Sequence, residues 1–102
     1  MTKFQDVLKV ENSGYNLLME NEKVRVMEMR LDPGQTSPMH NHPNDHVVYV
    51  FNKAEFKLSF PDGKSNEFKL TKGKALWIEA GPHETQNIGQ THGHNLIIEI
   101  KE

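Results

Sequence analysis

From residue 23 onward, apolar and polar positions alternate in short runs, and each run ends at a turn signal. Successive side chains of a strand face opposite ways, so such a run builds one wet and one dry face. Residues 23–31 form the first run, closed by Asp32-Pro33-Gly34, a composition that favours a turn. Residues 39–42 and 46–51 read as two extended arms around Pro43-Asn44-Asp45. Residues 55–60 place Phe56, Leu58 and Phe60 on one face. Pro61-Asp62-Gly63 predicts a hairpin turn, and 66–70 returns with Phe68 and Leu70 inward. After Thr71-Lys72-Gly73 come a strand over 75–78, a break at Ala80-Gly81-Pro82, and a strongly apolar strand over 95–100.

The first twenty-two residues lack this clarity. Phe4, Val7 and Leu8 have helical spacing, but Asn12-Ser13-Gly14 stops any helix that begins there. The segment is expected to pack on the barrel or on a dimer partner. Short strands with turn signals roughly eight to twelve residues apart, and no long helix, predict an all-β sandwich or barrel.

A length of 102 residues fits one domain over the whole chain. The hydrophobic fraction of 35% is low, as in small β proteins with one wet face. The net charge is −2 with acidic and basic residues interspersed, which argues against a nucleic-acid partner needing a clustered basic face. Cysteine is absent, so any metal must be held by nitrogen and oxygen. The N-terminus has no apolar signal-peptide core and no run approaches the ~18 apolar residues of a membrane span. A cytoplasmic protein with no membrane partner is therefore expected.

Histidine carries the chemistry. His40 and His42 share a strand face, and His46 shares one with Val48 and Val50. Neutral imidazole is the commonest protein metal ligand, and three converging on an inner face imply a metal pocket. His83 follows a turn some forty residues on and, in an antiparallel barrel, returns beside the earlier strands. His92 and His94 flank Gly93 in a segment that reads as a flexible, solvated turn.

Gly34, His40, His42 and His46 follow the spacing Gly-x5-His-x-His-x3-His, which resembles the first cupin motif, where the last residue is glutamate. Gly73, Gly81, His83 and Asn87 resemble the second, Gly-x5-Pro-x-Gly-x2-His-x3-Asn. The resemblance covers about residues 23–101 and points to small single-domain cupins, including the bacterial group named after β-alanine degradation. It implies a cupin-type double-stranded β-helix, or jelly-roll barrel, with little or no helix. His40, His42, His46 and His83 are its implied metal ligands, for a divalent transition ion such as Fe, Zn, Ni, Cu or Mn.

There are departures. His46 stands at the glutamate position, Lys53 at the first motif's closing glycine, and Glu79 at the second motif's proline. The second motif is also one residue short before His83. An all-imidazole set cancels none of the ion's charge and leaves it a stronger Lewis acid. His46 either ligates or hydrogen-bonds inside the cavity.

Asp45 is expected to orient a histidine or to serve its turn, and Glu79 and Glu84 to be solvated carboxylates near the mouth. Phe56, Phe60, Tyr49 and Trp77 are assigned to core or interface packing, and Asn87 to capping a turn. Since the family includes many dioxygenases, the resemblance implies a metal-dependent enzyme of the non-haem iron dioxygenase type, or a related one, acting on a small organic substrate. The alternative is a non-catalytic module that binds a small molecule or metal. An apolar last strand and the need to cover exposed edges predict a homodimer.

Overall fold

A computed structural model describes residues 3–101. It contains nine strands among the described residues: β1 Tyr15–Glu20, β2 Val24–Leu31, β3 Thr36–His42, β4 His46–Val50, β5 Ala54–Ser59, β6 Ser65–Leu70, β7 Ala75–Ile78, β8 Gly81–Asn87 and β9 Gly93–Ile100. One 3-10 turn, Val7–Lys9, precedes them, opened by an Asp6 side chain that accepts from the Leu8 amide. The strands form two antiparallel sheets, ordered β1-β2-β9-β4-β7 and β3-β8-β5-β6. This is the jelly-roll barrel that the motifs imply. No helix of the described residues is long and apolar enough to cross a membrane.

Alternation does the work expected of it. In β2, Met27, Met29 and Leu31 are buried while Glu28 and Arg30 face outward. They meet Val48, Val50 and Ile97 of their own sheet and Phe56, Leu58 and Leu70 of the other. The hairpin at Pro61-Asp62-Gly63 forms as read, with Gly63 at φ 89°, a left-handed conformation that glycine adopts without strain.

Two strands were not predicted. β1 has no fully buried residue and only Tyr15 is part-buried, so no alternation marks it; it is held by pairing with β2. β8 presents His83, Thr85 and Asn87 to the interior, a polar inner face that reads as loop in sequence. A third difference concerns Gly93, expected in a flexible turn. It is buried at the start of β9, and a Cβ there would lie 2.4 Å from the Phe56 ring. Glycine is required at this point because the ring packs on bare backbone.

One irregularity aims the histidines. The β3–β8 register shifts between Ser37 and His40, a β-bulge on an edge strand. Without it, Ser37 and His40 would face opposite ways; with it Ser37, His40 and His42 are all buried. Pro38, which has no amide hydrogen to donate, sits at the bulge on the sheet edge, where that lack costs no ladder bond.

The two sheet edges close differently. On one side the N-terminal segment spans the seam between β1 and β3: Asp6 bridges Asn41, and the Asn41 amide donates to the Gln5 carbonyl. On the other, the edge strands β6 and β7 border an open groove of about 670 Å³.

Candidate metal centre

β3, β4 and β8 bring four imidazoles together. His40, His42, His46 and His83 are all at most 4% exposed. His40 and His83 are cross-strand partners, with ring centroids 4.9 Å apart. The His42 ring lies 4.9 Å from each of them. One ring nitrogen from each of His40, His42 and His83 can be chosen so that all lie within 4.8 Å of one another. His46 stands outside this group of three, stacked on His42 at 4.3 Å.

Backbone and side-chain oxygens fix how three of the rings are turned. His40 Nδ1 donates to the Pro38 carbonyl at 2.7 Å, and His46 Nδ1 to the Asn44 carbonyl at 3.1 Å. His42 Nδ1 lies 2.9 Å from the Glu99 carboxylate. A carbonyl or carboxylate oxygen only accepts, so each Nδ1 carries a proton, and in the neutral ring Nε2 keeps its lone pair. The Nε2 atoms of His40 and His42 are buried and have no hydrogen-bond partner in the protein. Burying such a nitrogen unsatisfied costs roughly 1–3 kcal/mol, so two side by side mark a place built for a cation that accepts lone pairs. On this ground the residues fit a metal.

The surroundings keep the His40, His46 and His83 rings neutral. Burial, then the adjacent His42, lowers His40 and His46 to about 4. The same causes lower His83 to about 2. Tyr15 packs edge-on against His40 and His42 at 5.2 and 5.4 Å, and burial pushes its hydroxyl up. A small cavity of about 40 Å³ adjoins the cluster, bounded by Tyr15, His46, His83, Thr85 and Asn95 among apolar neighbours. It shares Leu58, Phe68, Ile78 and His83 with the open groove, so the approach to the rings runs between β6 and β7.

The other sequence candidates fall outside the cluster. Asp45 accepts from the Ala80 amide and orients no histidine. Glu79 is exposed at the groove, and Glu84 faces away from the buried side of β8. Asn87 does hold a turn, accepting from the Gly89 amide and donating to Leu31 and Thr91 carbonyls. His92 pairs with Asp32 on the surface and His94 with Glu28. Phe56 is core, Phe60 stands edge-on to His83 at 6.4 Å, and Tyr49 and Trp77 are exposed on the outer face.

The group that sequence reading missed is Glu99, with Arg25 and Asp6 behind it. Glu99 is wholly buried, accepts from His42, and takes two hydrogen bonds from Arg25 at 3.1 and 3.0 Å. Arg25 in turn donates to both oxygens of Asp6. Burial opposes a charge on Glu99, but hydrogen bonds from His42 and Arg25 and the guanidinium charge outweigh it and hold the carboxyl at about 2. The available signal was a carboxylate on the inward parity of an apolar strand, in phase with Asn95 and Ile97.

No protein-family model and no curated protein matches the chain. Among solved structures, a cupin domain from Bordetella pertussis Tohama I superposes with a TM-score of 0.78 at 31% identity, over 86% of this chain and 92% of that one. The chain belongs to the cupin family. More distant structures share the cupin's fold: a Klebsiella pneumoniae protein with a double-stranded β-helix domain (TM-score 0.68, 17% identity, 98% and 90% coverage). An RmlC-like cupin from Methanocaldococcus jannaschii matches with TM-score 0.67 at 18% identity, covering 91% of this chain and 85% of that one.

Proposed function

We propose that this cupin holds one divalent transition metal through His40, His42 and His83, with His46 completing or lining the site, and uses it on a small organic molecule. The observation that carries the reading is the pair of buried, unpartnered Nε2 atoms of His40 and His42 converging with His83. A bound ion acts as a Lewis acid on an oxygen-bearing ligand, and iron adds redox chemistry with dioxygen. The chain's own contribution is to orient three rings through their Nδ1 contacts, keep His40, His46 and His83 neutral, and admit a ligand along one groove. Metal analysis of tag-free protein tests the site: one equivalent is expected, abolished by His40→Ala. Substoichiometric metal that His40→Ala leaves unchanged would refute it.

Within that reading the proposed activity is of the non-haem iron dioxygenase type, supported by imidazole ligation with room for further ligands. The iron-loaded protein should consume oxygen with one class among diketones, thiols and catechols. A second reading, metal-dependent binding without turnover, draws support from the small cavity of about 40 Å³ and from a lining with no acid or base besides the histidines and Tyr15. Stable binding in a thermal-shift screen with no chemical change would establish it. A cytoplasmic setting fits the absence of cysteine.

A homodimer is proposed on separate grounds. By register, Trp77, Val47, Ile98, Val26 and Met19 form one apolar row across the outer face of the five-stranded sheet. Contiguous apolar surface of this kind marks association sites. Light scattering coupled to size exclusion should give twice the monomer mass, and a monomer at high concentration would overturn it.

A further inference from the structure

The ligand set reads as all imidazole, with histidine where the family motif has glutamate. Yet a carboxylate lies one residue outward from the rings. Glu99 reaches His42 Nδ1 at 2.9 Å and is wholly buried. Register explains how it comes there: Glu99 of β9 is the cross-strand partner of both Arg25 and His46, on the inward side of the sheet. Its oxygens are fully engaged, by Arg25, by His42 and by the Asn44 side chain at 3.3 Å. Asp6 and Glu99 together bracket one guanidinium, which leaves one negative charge in excess beside the cluster.

We propose that Glu99 is the positioning carboxylate of this site: through the Nδ1–H of His42 it holds that ring with Nε2 toward a bound divalent metal, and it supplies from outside the ligand set the negative charge that no ligand carries. The proposal rests on the metal-binding reading above. Three features support it over a purely structural ion pair. The acceptor fixes a tautomer, and the tautomer leaves an otherwise unpartnered Nε2. A ligating histidine whose other nitrogen donates to a carboxylate is a more basic, better oriented ligand. Arg25 is itself held by Asp6, so the carboxylate cannot swing away from His42 without also breaking its two bonds from Arg25 and the one from Asn44.

Two measurements test it. Long-range ¹H–¹⁵N correlation spectra of the metal-free wild-type protein at neutral pH should show His42 as the Nδ1–H tautomer. An Nε2–H tautomer or a doubly protonated ring overturns the positioning role, whether or not metal binds. Cobalt(II) affinity, measured by competition with a chelator, should fall roughly 10–100-fold in Glu99→Gln, which keeps the shape and removes the charge. Because Glu99→Gln removes one of the two carboxylates that bracket the Arg25 guanidinium, the same measurement on Arg25→Met/Glu99→Gln covers the case in which the single variant does not fold. A folded variant that binds cobalt within about twofold of wild type overturns the charge role while leaving the metal site standing. A wild-type protein that takes up no cobalt refutes the metal site and the charge role together, and the tautomer result then stands alone as a test of His42 positioning.

Discussion

One pair of neighbouring rows on the two faces of the five-stranded sheet reverses the usual distribution of polarity. On the inner face, one transverse row reads Arg25, Glu99, His46: two charges and a titratable ring beneath the protein surface. The neighbouring row on the outer face reads Met19, Val26, Ile98, Val47, Trp77, with Trp77 56% and Met19 47% exposed. A sheet selected for stability alone would exchange them. The inner row lies where burial makes charge matter: a carboxylate in a low-dielectric setting orients and polarises a hydrogen-bonded ring that it would scarcely affect in water. The outer row is the kind of apolar surface that association would cover.

The comparison sharpens within a single strand. β2 carries Arg25 on its inner face and Arg30 on its outer face, each beside a glutamate. Arg25→Ala strands Glu99 and should cost ~3–5 kcal/mol of unfolding free energy, as removal of one partner from a buried pair does; urea denaturation checks it, and a loss under 1 kcal/mol would place the network in effective contact with solvent. Next in size, His42→Ala should reduce zinc affinity by at least about 100-fold, roughly 2.7 kcal/mol, read by chelator competition. If affinity survives, His40, His46 and His83 hold the ion without it.

Acid should act through the buried histidines, which lie on both sheets. His40 and His46 fall from an ordinary 6.5 to about 4 in the folded protein. Between those values the unfolded chain binds protons that the native chain refuses, so stability is full above about pH 6.5 and declines as pH falls toward 4. Glu99, lowered from 4.5 to about 2, adds its loss at still lower pH, in the same direction. The metal-free protein at pH 5 should therefore be less stable than at pH 7, on the order of 1–2 kcal/mol for each of these two histidines. A stability curve flat between pH 7 and 5 would show that the rings are hydrated.

The outer face should respond in assembly instead of folding. Trp77→Lys is expected to leave monomer stability within ~0.5 kcal/mol and to weaken self-association at least about tenfold by sedimentation equilibrium. Unchanged association would move the interface elsewhere. The smallest effect belongs to Arg30→Ala: its contact with Glu28 is long, at 3.6 Å, and largely exposed, so ~0–0.5 kcal/mol is expected in the same urea experiment.

Much of the barrel was legible from alternation, because most strands bury one clean apolar face. β1 and β8 were not, for opposite reasons: β1 buries nothing fully, and β8 buries polar residues. The four histidines were legible because two lie on one strand at a spacing of two and the motif frame brings in His83. Their mutual distances were not, since the bulge between Ser37 and His40 shifts the register without a residue pattern to announce it. Glu99 shows the deeper limit. Its charge sits at an inward position of a strand read only as apolar, its partners lie 57 and 74 residues away along the chain, and only the β2-β9-β4 order unites them.

Trp77 belongs to both regions. Its side chain ends the exposed apolar row, and it also borders the groove that leads to His83. A second copy seated on that row would stand at the doorway to the histidine cluster. Ligand entry would then vary with protein concentration: dilution would open the doorway, and kinetics measured at nanomolar and at micromolar enzyme would describe two different gates.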